Sequence, residues 1–410
     1  MDAQSEQLGR GRALYAFRSR DFRLLWSART VSLIGDGAFL IALGWRTTTL
    51  TGSATSLAIV LMANSVALLA TVLIGGALAD RYSRRGMMIA SDLARFVIIG
   101  ALAILDSAGE LSFPLLIVLA VGFGAADGFF YPAAGGIVPL VVESHELASA
   151  NTLIGISRQA SFVIGPALAG SIYGVAGSAA VFGLNAITFV LSAAFLVPTR
   201  PRAFEREPSE GTWKSIVEGV RYVVSVPWLW VGIAVTSVVL MVAMAPFQAL
   251  APTFVSEQFG KGVGAYGLLF AFEAAGMTIG MIAFGQMNPR THRIWLVFGL
   301  LAVNDVFAVA MTLQGSYEVA VALMVARGVL IGYAIGVWAT LLMEWVPEGK
   351  LARVTSLDFF GAIGLLPLGY ALTALASQTA EAWAILAVGF TLAGLLWAVP
   401  LLFRSVREAA

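Results

Sequence analysis

The stretch Gly75 to Gly86 reads GGALADRYSRRG and packs one acid and three arginines into the six residues from Asp80 to Arg85. The apolar run before it, 53–78, and the run after it, 86–105, are each long enough to cross ~30 Å of hydrocarbon at ~1.5 Å per residue. The stretch is therefore a short charged loop joining two membrane helices.

Composition extends this reading to the whole chain. Its 410 residues are 59% hydrophobic and 12% charged, with a mean hydropathy of +0.86, which excludes an ordinary soluble domain. A net charge of +1 argues against nucleic acid as a partner, because phosphate binding needs a concentrated basic surface. The absence of cysteine excludes disulfides and thiolate metal sites, and no metal site is expected. The segment 1–23 is polar, holds Arg10, Arg12, Arg18, Arg20 and Arg23, and has no apolar core, so it does not read as a cleaved signal peptide.

Apolar runs between charged or Gly/Pro-marked breaks predict twelve spans, at 24–48, 54–78, 86–105, 112–140, 147–172, 178–197, 228–252, 263–286, 294–313, 317–343, 351–376 and 380–403. The expected organisation is a cytoplasmic N-terminal segment (1–23), a six-helix bundle (24–197), a linker (198–227), a second six-helix bundle (228–403) and a cytoplasmic tail (404–410). In the linker, Trp213, Ile216, Val217, Val220, Tyr222 and Val223 recur at helical spacing, which predicts an amphipathic helix on the membrane surface. Basic residues gather at the termini and the even-numbered connections, so the positive-inside rule places both ends in the cytoplasm.

The loop resembles the signature between the second and third helices of the major facilitator superfamily. Gly76, Leu78, Ala79, Asp80, Arg81, Arg84 and Arg85 match it, and Ser83 stands where the family prefers Gly. An internal repeat agrees: Leu147, Ala148, Leu153 and Gly165 recur 204 residues later as Leu351, Ala352, Leu357 and Gly369, and Gly124 and Gly128 recur as Gly328 and Gly332. A worn copy of the loop survives in Gly285, Arg290 and Arg293, with Pro289 in place of the acid. The resemblance implies an all-α membrane fold of twelve transmembrane helices in two pseudo-symmetric six-helix bundles. It also implies a cytoplasmic gate built on Gly76, Asp80, Arg81, Arg84 and Arg85.

Ionisable groups at membrane depth are costly and mark function. Asp36, Asp127, Arg158 and Glu273 lie about 11 to 13 residues up helices 1, 4, 5 and 8, roughly 16 to 20 Å from the cytoplasmic edge. The resemblance places these helices around a central cavity, where the four are proton-coupling candidates. Two readings of Asp127 and Arg158 stand: a coupling role, or a permanent ion pair between sequential helices at one depth. Asp36 and Glu273 have no obvious partner, and a carboxyl without a counter-charge in a low-dielectric setting can load and release a proton. Asp92 and Arg95, three apart on helix 3, are expected to satisfy each other or the loop. Arg29, Arg46, Asp305, Arg327 and Asp358 are expected to snorkel or pair, and Asp305 is the least explained.

Helix 5 carries Gly155, Gly165, Pro166 and Gly170, which resemble the antiporter signature of drug exporters, where glycines allow close helix approach. The aromatic and soft residues Trp45, Phe129, Tyr131, Met241, Met244, Phe247, Phe272, Trp338 and Phe359 fall on cavity-capable helices and suit amphipathic compounds. No Gly-x4-Gly-Lys-Ser/Thr occurs, and His145 and His292 lie in loops without a nucleophile–base–acid arrangement, so no catalytic residues and no enzyme activity are expected. The segments Asp21–Trp26, Gly35-Asp36, Tyr131-Pro132-Ala133 and Leu147-Ala148 with Ala150-Asn151 resemble the drug:proton antiporter branch that includes macrolide efflux proteins and the enterobactin exporter. That resemblance implies a monomeric multi-pass protein of the inner membrane, driven by the proton gradient with no cofactor, whose partners are protons, lipid and an amphipathic small molecule. A dedicated siderophore or metabolite exporter, a lipid flippase and a non-transporting receptor are the alternatives.

Overall fold

The computed structural model describes residues 14–79, 81–202, 212–287, 289–403 and 406, and every regular element among them is helical. Eleven helices are long and apolar enough to cross a bilayer. We label them α1 (Arg20–Thr51), α2 (Ala54–Ala79), α3 (Arg84–Ser107) and α4 (Phe113–Gly136), followed by the helix Leu147–Leu196. That helix has 50 residues and would reach ~75 Å, more than twice the hydrocarbon thickness. It breaks at Gly177, where φ 77° and ψ 178° are open to a residue without a Cβ. The two parts are α5 (147–176) and α6 (178–196), which makes the described residues consistent with twelve spans. The remainder are α7 (Pro227–Phe259), α8 (Val263–Met287), α9 (Arg293–Leu313), α10 (Tyr317–Trp345), α11 (Gly349–Ala376) and α12 (Ala382–Leu402).

Contacts divide the chain into two units, Met1–Thr51 with Ala63–Glu205 and Gly52–Met62 with Arg206–Ala410. The first turns of α2 group with the second unit because Leu57, Ala58 and Leu61 pack on Ala245, Ala249, Tyr370 and Ala374. Thr55 also exchanges a 2.8 Å hydrogen bond with Ser377.

Both units use the same packing device, and it explains the repeat. A Cβ on Gly124 of α4 would stand 3.0 Å from the Asn64 carbonyl carbon of α2, and one on Gly128 would stand 2.8 Å from the Val72 nitrogen. In the second unit, a Cβ on Gly328 of α10 would stand 2.8 Å from the Met277 nitrogen of α8, and one on Gly332 would meet the Met277 carbonyl carbon at 2.8 Å. Real Cβ atoms do not approach backbone this closely, so these crossings admit only glycine. In α7, residues Leu240–Met244 form a π turn. Gly369 of α11 packs on its Met241 carbonyl carbon at 3.1 Å, and Gly389 of α12 on that of Val242 at 3.4 Å, again measured from an added Cβ.

The linker contains the helix Thr212–Ser225. On it, Val223 is buried, Val217 and Val220 are exposed, Glu218 accepts a 2.9 Å ion pair from Arg353, and Lys350 sits 4.2 Å over the Tyr222 ring.

The signature loop is an anchoring device in the first unit. Ser83 caps α3 by accepting from the Gly86 amide at 3.3 Å. Arg84 donates to the Gly136 carbonyl at the end of α4 (2.5 Å), and Arg85 donates to the Leu196 (3.1 Å) and Val197 carbonyls at the end of α6. Cations there meet carbonyls that the helices leave unpaired and the negative end of each dipole. In the worn copy, Arg293 reaches Glu344 at 2.5 Å near the end of α10.

Candidate functional site

The first unit gathers its buried charge around Arg95 of α3, which is 1% exposed. Its Nη2 lies 2.5 Å from Asp92 Oδ1, one helical turn earlier. Its Nη1 lies 3.1 Å from Asp127 Oδ1 on α4 and 3.9 Å from Asp36 Oδ2 on α1. Phe130 and Phe189 sandwich the guanidinium, with ring centroids 4.1 and 4.4 Å away. Asp92 in turn accepts from the Ser192 hydroxyl of α6 at 2.7 Å. One cation thus faces three carboxylates, an excess of acid over base that lets the cluster hold protons.

This arrangement overturns one of the two readings of Asp127 and Arg158, the permanent ion pair, because Asp127 pairs with Arg95. Sequential helices at one depth do not guarantee facing side chains. Arg158 turns to an exposed face of α5 and has no ion pair among the described residues, while Asp127 turns toward α3. Asp36, expected to lack a partner, stands at the edge of the Arg95 cluster.

In the second unit Arg327 of α10 is 4% exposed and plays the same part. Its Nη1 lies 3.6 Å from Glu273 Oε1 of α8, so Glu273 also has a counter-charge. The Arg327 Nε donates to Asn304 Oδ1 of α9 at 3.2 Å, and Asn304 Nδ2 donates to Asp305 at 3.0 Å. Trp397 Nε1 of α12 completes the chain by donating to Asp305 at 2.9 Å. Asp305 is thereby accounted for as a link between α9 and α12. Phe247 and Phe390 flank Arg327 at 5.4 and 5.0 Å. Phe247 is therefore not the cavity residue expected: it is 2% exposed and stacks on Phe270 at 5.3 Å.

The other expected lining residues divide. Tyr131, Met244, Phe272 and Phe359 are exposed, whereas Trp45, Phe129, Met241 and Trp338 are half-buried. Trp338 lies edge-on to Trp228 at 5.6 Å and donates to Asp358 at 3.3 Å. Arg46 pairs with Asp106 at 2.6 Å, and Arg29 donates to the Ala134 carbonyl at 3.3 Å.

Of the helix 5 motif, Gly165 is the position of close approach. A Cβ there would meet Gly37 Cα of α1 at 2.8 Å, and one on Gly37 would meet the Ser161 carbonyl at 2.9 Å and Pro166 Cδ at 3.6 Å. Gly155 faces open space, so it is not a packing glycine, and Gly170 is buried. In the gate motif, Gly75 makes the close contact instead of Gly76: its Cβ would stand 3.0 Å from Phe129 Cα, whereas Gly76 meets nothing. Asp80 lies outside the described residues.

Reasoning from charge missed Asn185 of α6, which is fully buried beside Asp36. Its signal was a polar stripe, Asn185, Thr188 and Ser192, spaced along one face of an otherwise apolar helix.

A helical, multi-pass chain with two charge clusters buried among its spans has the architecture of a membrane transporter. The chain belongs to the Major Facilitator Superfamily, whose profile matches residues 25–362. It is 27% identical over 392 residues to the enterobactin exporter EntS of Shigella boydii, covering 90% of each chain, and 26% identical over the same length to that of Escherichia coli. Among solved structures it resembles a bacterial homologue of the iron transporter ferroportin in an inward-facing state, with a TM-score of 0.71 and 18% identity over 93% of this chain and 98% of that one. The nucleoside transporter NupG gives a TM-score of 0.75 at 12% identity over 92% and 99%. At these identities the structural likeness establishes the fold.

Proposed function

We propose that the chain is a proton-coupled exporter of amphipathic small molecules, working by alternating access as a monomer in the cytoplasmic membrane, with both termini in the cytoplasm and no cofactor. The observation that supports this is the Arg95 cluster. Its three acids differ in access: the side chain of Asp36 is 32% exposed, against 16% for Asp127 and 0% for Asp92. Asp36 is thus the most accessible of the three acids, and Arg95 keeps Asp92 and Asp127 whether or not Asp36 is charged. The cluster can cycle a proton without losing the bonds that hold α3 and α4 together. Substrate that binds better to one protonation state then couples the two fluxes by linkage. Glu273, against Arg327, is the second coupling candidate.

Export is the direction suggested by relatives named as exporters over nine-tenths of both chains. The same names favour a second reading, a dedicated exporter of one siderophore or related metabolite. A competition panel of amphipathic drugs and siderophores, on purified protein in vesicles with an imposed proton gradient, separates the two. Movement of several unrelated drugs supports the broad reading, and movement of a single siderophore class supports the narrow one. Movement of neither, with or without the gradient, would contradict both.

A further inference from the structure

Three buried side-chain atoms among the described residues have no hydrogen-bond partner: Asp36 Oδ1, Arg95 Nε and Asn185 Nδ2. They are one acceptor and two donors, and they belong to one cluster. An unpaired polar atom in a buried position is destabilising, and leucine at position 185 would avoid that cost. The Thr188 hydroxyl lies 2.7 Å from the Asn185 main-chain carbonyl and 3.0 Å from Asn185 Oδ1, so its one proton is shared between the two oxygens. Gly35, the neighbour of Asp36, brings α1 against α6 here: a Cβ on it would stand 3.1 Å from Thr188 Cγ2. Asp36 is only half engaged. Its Oδ2 lies 3.9 Å from Arg95 Nη1, where Asp127 lies at 3.1 Å, so an approach of about 1 Å would bring it to hydrogen-bond distance.

We infer that Asn185 is a positioning residue whose amide nitrogen is the donor reserved for the Asp36 carboxylate when that group is charged. The inference rests on the reading of Asp36 as the coupling acid. In the charged state Asn185 and Arg95 together grip Asp36. In the neutral state the carboxyl needs neither, and α1 is released from α6 at Gly35. The charged and titratable groups around Asp36 are Arg95 and Asp92 of α3 and Asp127 and Tyr131 of α4; Arg158 of α5 faces Tyr131. Asn185 and the Tyr131 hydroxyl are the neutral donors among them, and Asn185 is the one on α6.

The test uses purified full-length protein and needs no substrate. Melting temperatures are measured at pH 5 and pH 9 for the parent, Asn185→Leu, Asn185→Ser, Asp36→Asn and the double variant Asp36→Asn with Asn185→Leu. Asn185→Leu should melt at or above the parent at pH 5 and below it at pH 9, a relative change of about 1–2 °C. Asn185→Ser, which keeps a donor, should follow the parent. In the Asp36→Asn background the pH dependence of the leucine effect should vanish. A leucine effect equal at both pH values, or one that persists without the Asp36 carboxyl, would overturn the inference; if leucine does not fold, Asn185→Ala is read by the same criterion. Proton release from Asp36→Asn in vesicles is scored separately, so the coupling reading can fail while this cycle holds, and the reverse.

Discussion

Arg95 Nη1 lies 3.1 Å from Asp127 Oδ1, an ion pair that ties α3 to α4 while Nη2 of the same guanidinium holds Asp92 at 2.5 Å. Because both helices contribute through one buried cation, losing that cation strands acids on each.

Arg95→Met should therefore lower stability by about 3–5 kcal/mol, and adding Asp127→Asn should restore part of the loss, since the penalty comes from an uncompensated buried charge. Arg158→Ala, on an exposed face, should change stability by no more than about 0.5 kcal/mol. Thermal melts of Arg95→Met, Asp127→Asn, their double and Arg158→Ala check this. Additive losses for Arg95→Met and Asp127→Asn would show that the two side chains do not depend on each other.

Gly165→Ala should destabilise the first unit, because its new Cβ meets Gly37 Cα at 2.8 Å and the backbone of α1 cannot yield as a side chain can. A cost of about 1–3 kcal/mol is expected for such overpacking. Gly155→Ala, ten residues away and facing open space, should be neutral or slightly stabilising. Equal melting temperatures for the two variants would contradict the close crossing of α1 and α5.

Trp397→Phe should cost about 1–3 kcal/mol by leaving Asp305 without the indole donor at 2.9 Å. Asn304→Leu should cost at least as much, since it removes the donor to Asp305 and the acceptor for Arg327 together. Melts of the two singles and the double should show less than additive loss, as expected for members of one network.

The parts of this account that were legible in the sequence are those carried by local pattern. Apolar run length gave the spans, the signature loop gave the family, and a 204-residue offset gave the paired glycines. The contacts of Gly124, Gly128, Gly328 and Gly332 show why that offset persists, since each sits where backbone meets backbone. What the sequence did not disclose was partner choice. Asp127 and Arg158 are alike in depth, and only the rotation of each helix decides that Asp127 meets Arg95 of α3 while the Arg158 side chain is exposed. Asn185 was hidden for another reason: a neutral amide leaves no mark in a search for charge, and its polar neighbours on α6 suggest ordinary packing until Asp36 is seen beside them. Phe247 shows the reverse error, because position on a cavity-capable helix says nothing about which face a ring occupies.

The central claim is that Asp36 carries the coupled proton, and substrate-induced proton release from purified protein in vesicles tests it most directly. Asn at position 36 keeps the size and removes the titration. Asp36→Asn should fold and bind its substrate while releasing no protons on binding and exporting nothing against the imposed gradient. Release at the parental level in Asp36→Asn would contradict the account and move the coupling role to Glu273.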